Sequence, residues 1–256
     1  MLFRTVYGAE LAAIYDFVQR HTLKSSPIPL SIIYEAFVVT TSDKPRENHH
    51  VDDALSFLNS ALMTKIEEGK VRSLVETGDF RLELLRNLRR LELNDITPLH
   101  PLDPYYMHIL SEIFIRTGRQ YVRDLHTEVN QLASIQTVGG VSREKIQAWK
   151  RVMTYLGIGY RAFNGFLCVY TPDLLMSLLD VWASKADTLQ GFIEGHIEQY
   201  VPALMRAGDL APSLAVPLQQ LSVQGIVDLH PLQDSPSRAF FGALQYKGIR
   251  KQTTYV

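Results

Sequence analysis

Apolar residues recur along this chain at helical spacing, and each group of such runs is closed by a pair of short β-prone stretches. The middle of the chain shows this most plainly. Asp103-Pro104 opens a helix, with Asp as N-cap and Pro in the first turn. Leu110, Ile113 and Phe114 form its apolar stripe, and Gly118 ends it. A second helix is predicted over 119–134, with Val122, Leu125, Val129 and Leu132 on one face. After the turn at Val138-Gly139-Gly140, Ser142 caps a third helix, although Lys145 stands where a capping box would place Glu or Gln. Ile146, Trp149, Met153 and Leu156 recur at i, i+3, i+7 and i+10, which makes one buried face, and Gly157 stops the helix. The runs 159–163 and 166–170 then flank Asn164-Gly165. That dipeptide between β-prone runs predicts a hairpin, because a type I′ turn needs positive φ at both of its central residues.

The same order is legible on either side. Before it, Leu11, Ile14, Tyr15 and Val18 mark one helix, and Ile32, Ile33, Ala36 and Phe37 a second, separated by Pro27-Ile28-Pro29. A polar loop from Thr40 to His50 precedes a third, with Val51, Leu55, Leu58 and Leu62 on one face. A hairpin turning at Glu68-Gly69 follows, then an amphipathic helix over about 79–93 that reads as a linker packed between domains. After the middle stretch, Asp173 caps a helix with Leu174, Leu175, Leu178, Leu179 and Trp182. A second carries Leu189, Phe192, Ile193, Ile197 and Tyr200, despite Gly191 and Gly195. Pro212 begins a third with Leu214, Leu218 and Leu221, and Pro217 either kinks it or marks its start. Ile226 to Leu229 leads through Gln233–Ser237 to Arg238–Phe241 as the expected returning strand, and Tyr246 to Val256 reads as a partly ordered basic tail.

The expected fold class is therefore mainly α with small β-hairpins (α+β), in three units: 1–98, 99–172 and 173–256. Three helices followed by a two-stranded hairpin resemble a winged helix-turn-helix domain. The resemblance is carried by residues 99–172, on element order and turn chemistry. It implies three tandem winged-helix-like units, the first joined to the second by the linker helix. It also implies that the third helix of a unit enters the major groove of DNA.

Charge separates the units. The whole chain has 26 Lys+Arg against 27 Asp+Glu, a net charge of -1. Residues 99–172 hold 8 basic and 5 acidic residues, whereas the flanking units each carry an acidic excess. Only the middle unit is expected to meet phosphate. On its third helix, with the Trp149 face turned inward, the opposite face carries Glu144, Gln147, Ala148 and Arg151. Arg151 suits guanine and Gln147 adenine, since both present bidentate geometry. Arg143, Lys145 and Lys150 on the flanks, Arg161 on the hairpin, and Arg119 and Arg123 at the start of the second helix suit backbone phosphates. One basic unit binds weakly alone, so a homodimer or a heteromeric protein partner is expected. The alternative function is a non-catalytic adaptor, as in the tandem winged-helix partners of chromosome-organising complexes.

Other chemistry is sparse. With 46% hydrophobic residues the chain has enough apolar content to fold. No run reaches the roughly 18 apolar residues of a membrane span, and the first residues lack a secretory signal, so a cytoplasmic location and no membrane partner are expected. Cys168, the single cysteine, sits in an apolar strand and reads as a packed thiol. His49-His50-Val51-Asp52-Asp53 is the one cluster suggestive of a metal, and the blander reading is a polar helix start. No phosphate-loop, dinucleotide-binding or nucleophile-elbow motif occurs. The expectation is a non-enzymatic protein without cofactor.

Overall fold

Helix stop signals, apolar stripes and tight turns build short helices around three small three-stranded sheets. The computed structural model describes residues 1–22, 27–38, 48–75, 78–230, 238–240 and 244–252. In the first unit, α1 (Gly8–Thr22) leads to β1 (Ile28–Pro29), α2 (Leu30–Phe37), α3 (His49–Ser60), β2 (Thr64–Glu67) and β3 (Lys70–Ser73). These strands form an antiparallel sheet ordered β1-β3-β2. Glu68 (φ 50°) and Gly69 (φ 70°) form the hairpin turn at the expected place. Most of the expected polar loop, 39–47, lies outside the described residues.

The linker helix α4 (Phe80–Glu92) is capped by Asp79, whose carboxylate accepts from the Arg81 and Leu82 amides. Its apolar residues Leu82, Leu84, Leu85, Leu88 and Leu91 are buried, and it touches elements of all three units.

The middle unit begins with α5 (Tyr105–Leu110), which runs on as a π-helical turn through Ser111–Ile115. Asp103 is not its cap. The Asp103 carboxylate is buried and accepts the Leu2 amide at 2.7 Å, tying the start of the chain to this unit. Burial pushes its pKa up, against the pull of that hydrogen bond. The expected second helix over 119–134 is divided. Gly118 (φ 68°) ends the first helix, β4 (Tyr121–Val122) follows, Asp124 caps α6 (Leu125–Gln131), and α7 (Ala133–Gln136) adds a turn. Periodicity misreads this stretch because Val122 is buried from a strand while Leu125 and Val129 are buried from a helix.

The third helix, α8 (Arg143–Tyr155), is capped by Ser142, which accepts the Lys145 amide. It leads to β5 (Gly159–Ala162) and β6 (Gly165–Cys168), in a sheet ordered β4-β6-β5. Ala162 pairs with Gly165, so the two turn residues are Phe163 and Asn164, one position earlier than the Asn-Gly signal predicts. Gly165 serves another need: a Cβ there would stand 2.3 Å from the Val122 carbonyl oxygen. Its missing side chain lets β4 close on β6. Trp149 anchors the core, donating to the Tyr106 carbonyl at 2.7 Å and meeting the Phe166 ring edge-on at 5.2 Å. Cys168 is fully buried, and burial pushes its thiol up to about 12.

In the third unit, Thr171 rather than Asp173 caps α9 (Pro172–Asp180). Then come β7 (Ala186–Thr188), α10 (Leu189–Gly195) with a 3-10 turn at Ile197–Gln199, α11 (Pro212–Val223) and β8 (Val227–His230). Pro217 sits inside α11 and is buried. The strand returning on β8 is not Arg238–Phe241. β9 (Arg238–Phe240) pairs instead with β10 (Leu244–Tyr246), and β11 (Gly248–Lys251) joins β8, giving the order β7-β11-β8. Four residues of the supposed tail, 248–251, are thus a central strand, held because Ile249 is fully buried. The turn Gln233–Ser237 and residues 253–256 lie outside the described residues.

Each of the three-stranded sheets places its third strand in the centre, between the first and the second. The described residues are α+β, with three small three-stranded antiparallel sheets and the β9–β10 pair among helices. No helix among the described residues is long and apolar enough to cross a membrane.

Candidate nucleic-acid interface

Helix α8 has three sides with different surroundings. Ile146, Trp149, Val152 and Met153 enter the core. Glu144, Ala148, Arg151 and Tyr155 recur at i, i+4, i+7 and i+11, and Glu144, Arg151 and Tyr155 meet the beginning of the chain. There Thr5 donates to Glu144 at 3.2 Å, and the Arg151 guanidinium lies 4.5 Å over the Tyr7 ring. A Cβ on Gly8 would stand 2.2 Å from the Tyr155 side chain, so a glycine allows this close approach. The side expected to read bases through Arg151 is therefore covered by the first unit, and Arg151 is spent on a cation–π contact.

The third side is open. Arg143 and Gln147 on α8, Arg123 and His126 around the start of α6, and Arg161 on β5 line one cleft of about 500 Å³. Lys150 lies at its floor and Phe163-Asn164-Gly165 at its rim. Arg123, Arg143 and Arg161 have no carboxylate at ion-pair distance among the described residues. Arg4, Arg20, Arg81, Arg86, Arg89, Arg116, Arg119 and Arg206 each do. One carboxylate lines the cleft, that of Asp124. It is engaged in capping α6, accepting from the Thr127 hydroxyl at 2.8 Å and from the Thr127 amide. The Thr127 hydroxyl bond, more than the nearby cations, holds its pKa below the usual carboxylate value.

Lys150 is 3% exposed and donates to the Asn164 carbonyl at 3.1 Å, which ties the hairpin tip to α8. Burial, then repulsion from Arg161, lowers its pKa below the usual 10.5. Lys150→Met keeps the stem and removes the buried charge, so at neutral pH it is expected to match or exceed the parent in urea denaturation. The sign with pH follows. The folded chain holds the Lys150 proton less tightly than the unfolded chain does. The parent therefore gains stability relative to Lys150→Met as pH rises through the lowered folded value, and gains no more above the ordinary lysine value. A constant difference between the two proteins from pH 7 to about 10.5 would contradict this assignment.

The structure gathers Arg123, Arg143, Gln147, Lys150 and Arg161 and leaves out three other expected residues. Arg119 is held by two 3.0 Å bonds to Glu128, Lys145 lies outside the lining, and Arg151 is on the covered side. His126 and Phe163 belong to the lining without having been expected there. His126 lies two residues past an N-cap aspartate, a position that signals a helix start beside the cleft. Comparison with protein-family models, curated proteins and solved structures finds no match. The reading of the cleft therefore rests on its own chemistry.

At the other candidate, Asp53 pairs with Arg4 at 3.1 Å and Asp52 accepts from the Tyr34 hydroxyl at 2.5 Å. The His50 ring meets the Phe37 carbonyl. No group of three or more His, Cys, Asp or Glu side chains among the described residues is arranged to hold a metal.

Proposed function

We propose that the chain is built of winged-helix units and binds duplex DNA through the cleft of the middle unit, as a transcriptional regulator or a DNA-targeting subunit. The order β1-β3-β2, repeated as β4-β6-β5 and β7-β11-β8, supports the first part. The second rests on one observation: Arg123, Arg143 and Arg161 converge with Lys150 on one cleft, with no carboxylate among the described residues to neutralise them beyond a capping Asp124. Guanidiniums suit the planar, two-point bonding that phosphate oxygens accept. The N-terminus of α8 adds a partial positive charge beside Arg143. Gln147 on α8 is a cleft side chain able to bond bidentately to a base edge. Most contacts then go to the backbone, so affinity dominates over sequence discrimination.

The three exposed guanidiniums, Arg123, Arg143 and Arg161, engaging three phosphates release counterions, so the logarithm of the binding constant should fall with the logarithm of salt with a slope of about -3. That is a loss of roughly 40-fold between 50 and 200 mM salt, measurable by fluorescence anisotropy with a labelled duplex. A flat salt profile, or no binding in low salt, removes the reading. A second reading, the protein adaptor, is favoured by the third unit, where Met176, Val181 and Val223 are exposed beside a cleft lined by Met176, Leu179 and Ile226. An adaptor predicts no salt-dependent DNA binding, and a protein complex that Val223→Glu dissolves.

A further inference from the structure

Phe163 stands at the tip of the β5–β6 hairpin with its side chain 100% exposed and its backbone at φ 50°. Both features are unfavourable for phenylalanine. The left-handed region suits Gly, Asn or Asp, and an aromatic ring fully in water gives up the burial that favours it elsewhere. The hairpin behind it is anchored. Phe166, three residues on, packs against Trp149 and Phe114 at centroid distances of 5.2 and 5.7 Å, and Lys150 fastens the Asn164 carbonyl. An anchored hairpin therefore carries a fully exposed ring at the rim of a cationic cleft.

We propose that Phe163 is a base-stacking pin: it stacks on an accessible nucleobase of the DNA strand whose phosphates the cleft holds. This rests on the DNA-binding reading above and adds the class of substrate. A polyanion carrying flat π-faces matches cations beside an exposed ring, and nucleic acid has both. In continuous duplex the base faces are covered by their neighbours. The pin therefore selects DNA with an unpaired or terminal base: a gap, a flap junction or a duplex end.

The test is anisotropy with two labelled DNAs of equal length, a hairpin-closed continuous duplex and the same duplex with a short single-stranded gap. The full chain is expected to prefer the gapped DNA by about 5-fold or more, the scale of one base–aromatic stack. Phe163→Ala should erase that preference, so that gapped and continuous DNA bind equally and with the same salt slope. Phe163→Trp should retain the preference. A wild-type protein that binds both DNAs equally, or a Phe163→Ala protein that still prefers the gap, overturns the pin and leaves the cleft reading standing. Absence of salt-dependent binding to either DNA overturns both.

Discussion

Replacing Arg89 by alanine is expected to lower the stability of the protein by about 3–5 kcal/mol, the usual cost of leaving buried charges without their partner. Arg89 is on α4, with its side chain 10% exposed. Its guanidinium pairs with Glu92 on the same helix and with Glu198 in the 3-10 turn of the third unit, and its Nε donates to the Glu198 carbonyl at 3.1 Å. Glu198 is fixed in turn, accepting the Ala203 amide at 2.7 Å. One turn earlier on α4, Arg86 bonds the Tyr200 hydroxyl at 2.5 Å with its guanidinium 4.9 Å over the same ring. Two arginines of the linker helix thus fasten the last unit to the first two. In Arg89→Ala, Glu92 and Glu198 would remain in a low-dielectric seam without a cation. Desolvation makes that costly, whereas removing all three charges is not. A chain with Arg89→Met, Glu92→Gln and Glu198→Gln should therefore recover most of the stability. Urea unfolding of the two variants against the parent decides it. A decrease below about 1 kcal/mol for Arg89→Ala would place this cluster with weak surface pairs.

The linker role of α4 is legible in its sequence because Leu84, Leu88 and Leu91 lie at helical spacing and Asp79 precedes them. Its ionic seam is not, since Glu198 is 109 residues away along the chain from Arg89. Local signals of the same kind place α8 and its cap, the Glu68-Gly69 turn and the buried Trp149. They fail where a residue answers a distant partner. Gly165 beside Asn164 reads as a turn glycine, yet it sits in a strand because the Val122 backbone approaches it. The residues from Tyr246 onward read as a tail, yet Ile249 completes the sheet between β7 and β8. The candidate site divides likewise. The basic residues on α8 are plain from the sequence, but which of its sides is open depends on Thr5, Tyr7 and Gly8 packing against Glu144, Arg151 and Tyr155. Nothing local to α8 encodes that packing. The cleft instead uses a flank of the helix, where Arg143 and Gln147 share the space with Arg123 and Arg161.

That division of α8 makes a second expectation sharp. Arg143→Ala combined with Arg161→Ala should weaken duplex binding at 50 mM salt by about 10- to 100-fold and reduce the magnitude of the salt slope by about 2, one for each phosphate-binding cation removed. Both side chains lack a carboxylate partner among the described residues, and neither is buried. Their removal should therefore leave the urea midpoint of the folded chain where it is, or raise it slightly by relieving the repulsion on Lys150. Arg151→Ala separates this arrangement from helix insertion by the covered side. Its guanidinium lies over Tyr7, so the change should lower stability by removing the cation–π interaction and leave the salt slope untouched. The opposite pattern, a slope that falls with Arg151→Ala and holds with the Arg143 and Arg161 pair, would require Thr5–Gly8 to leave α8 when DNA binds. DNA binding would then be coupled to opening of the seam between the first two units.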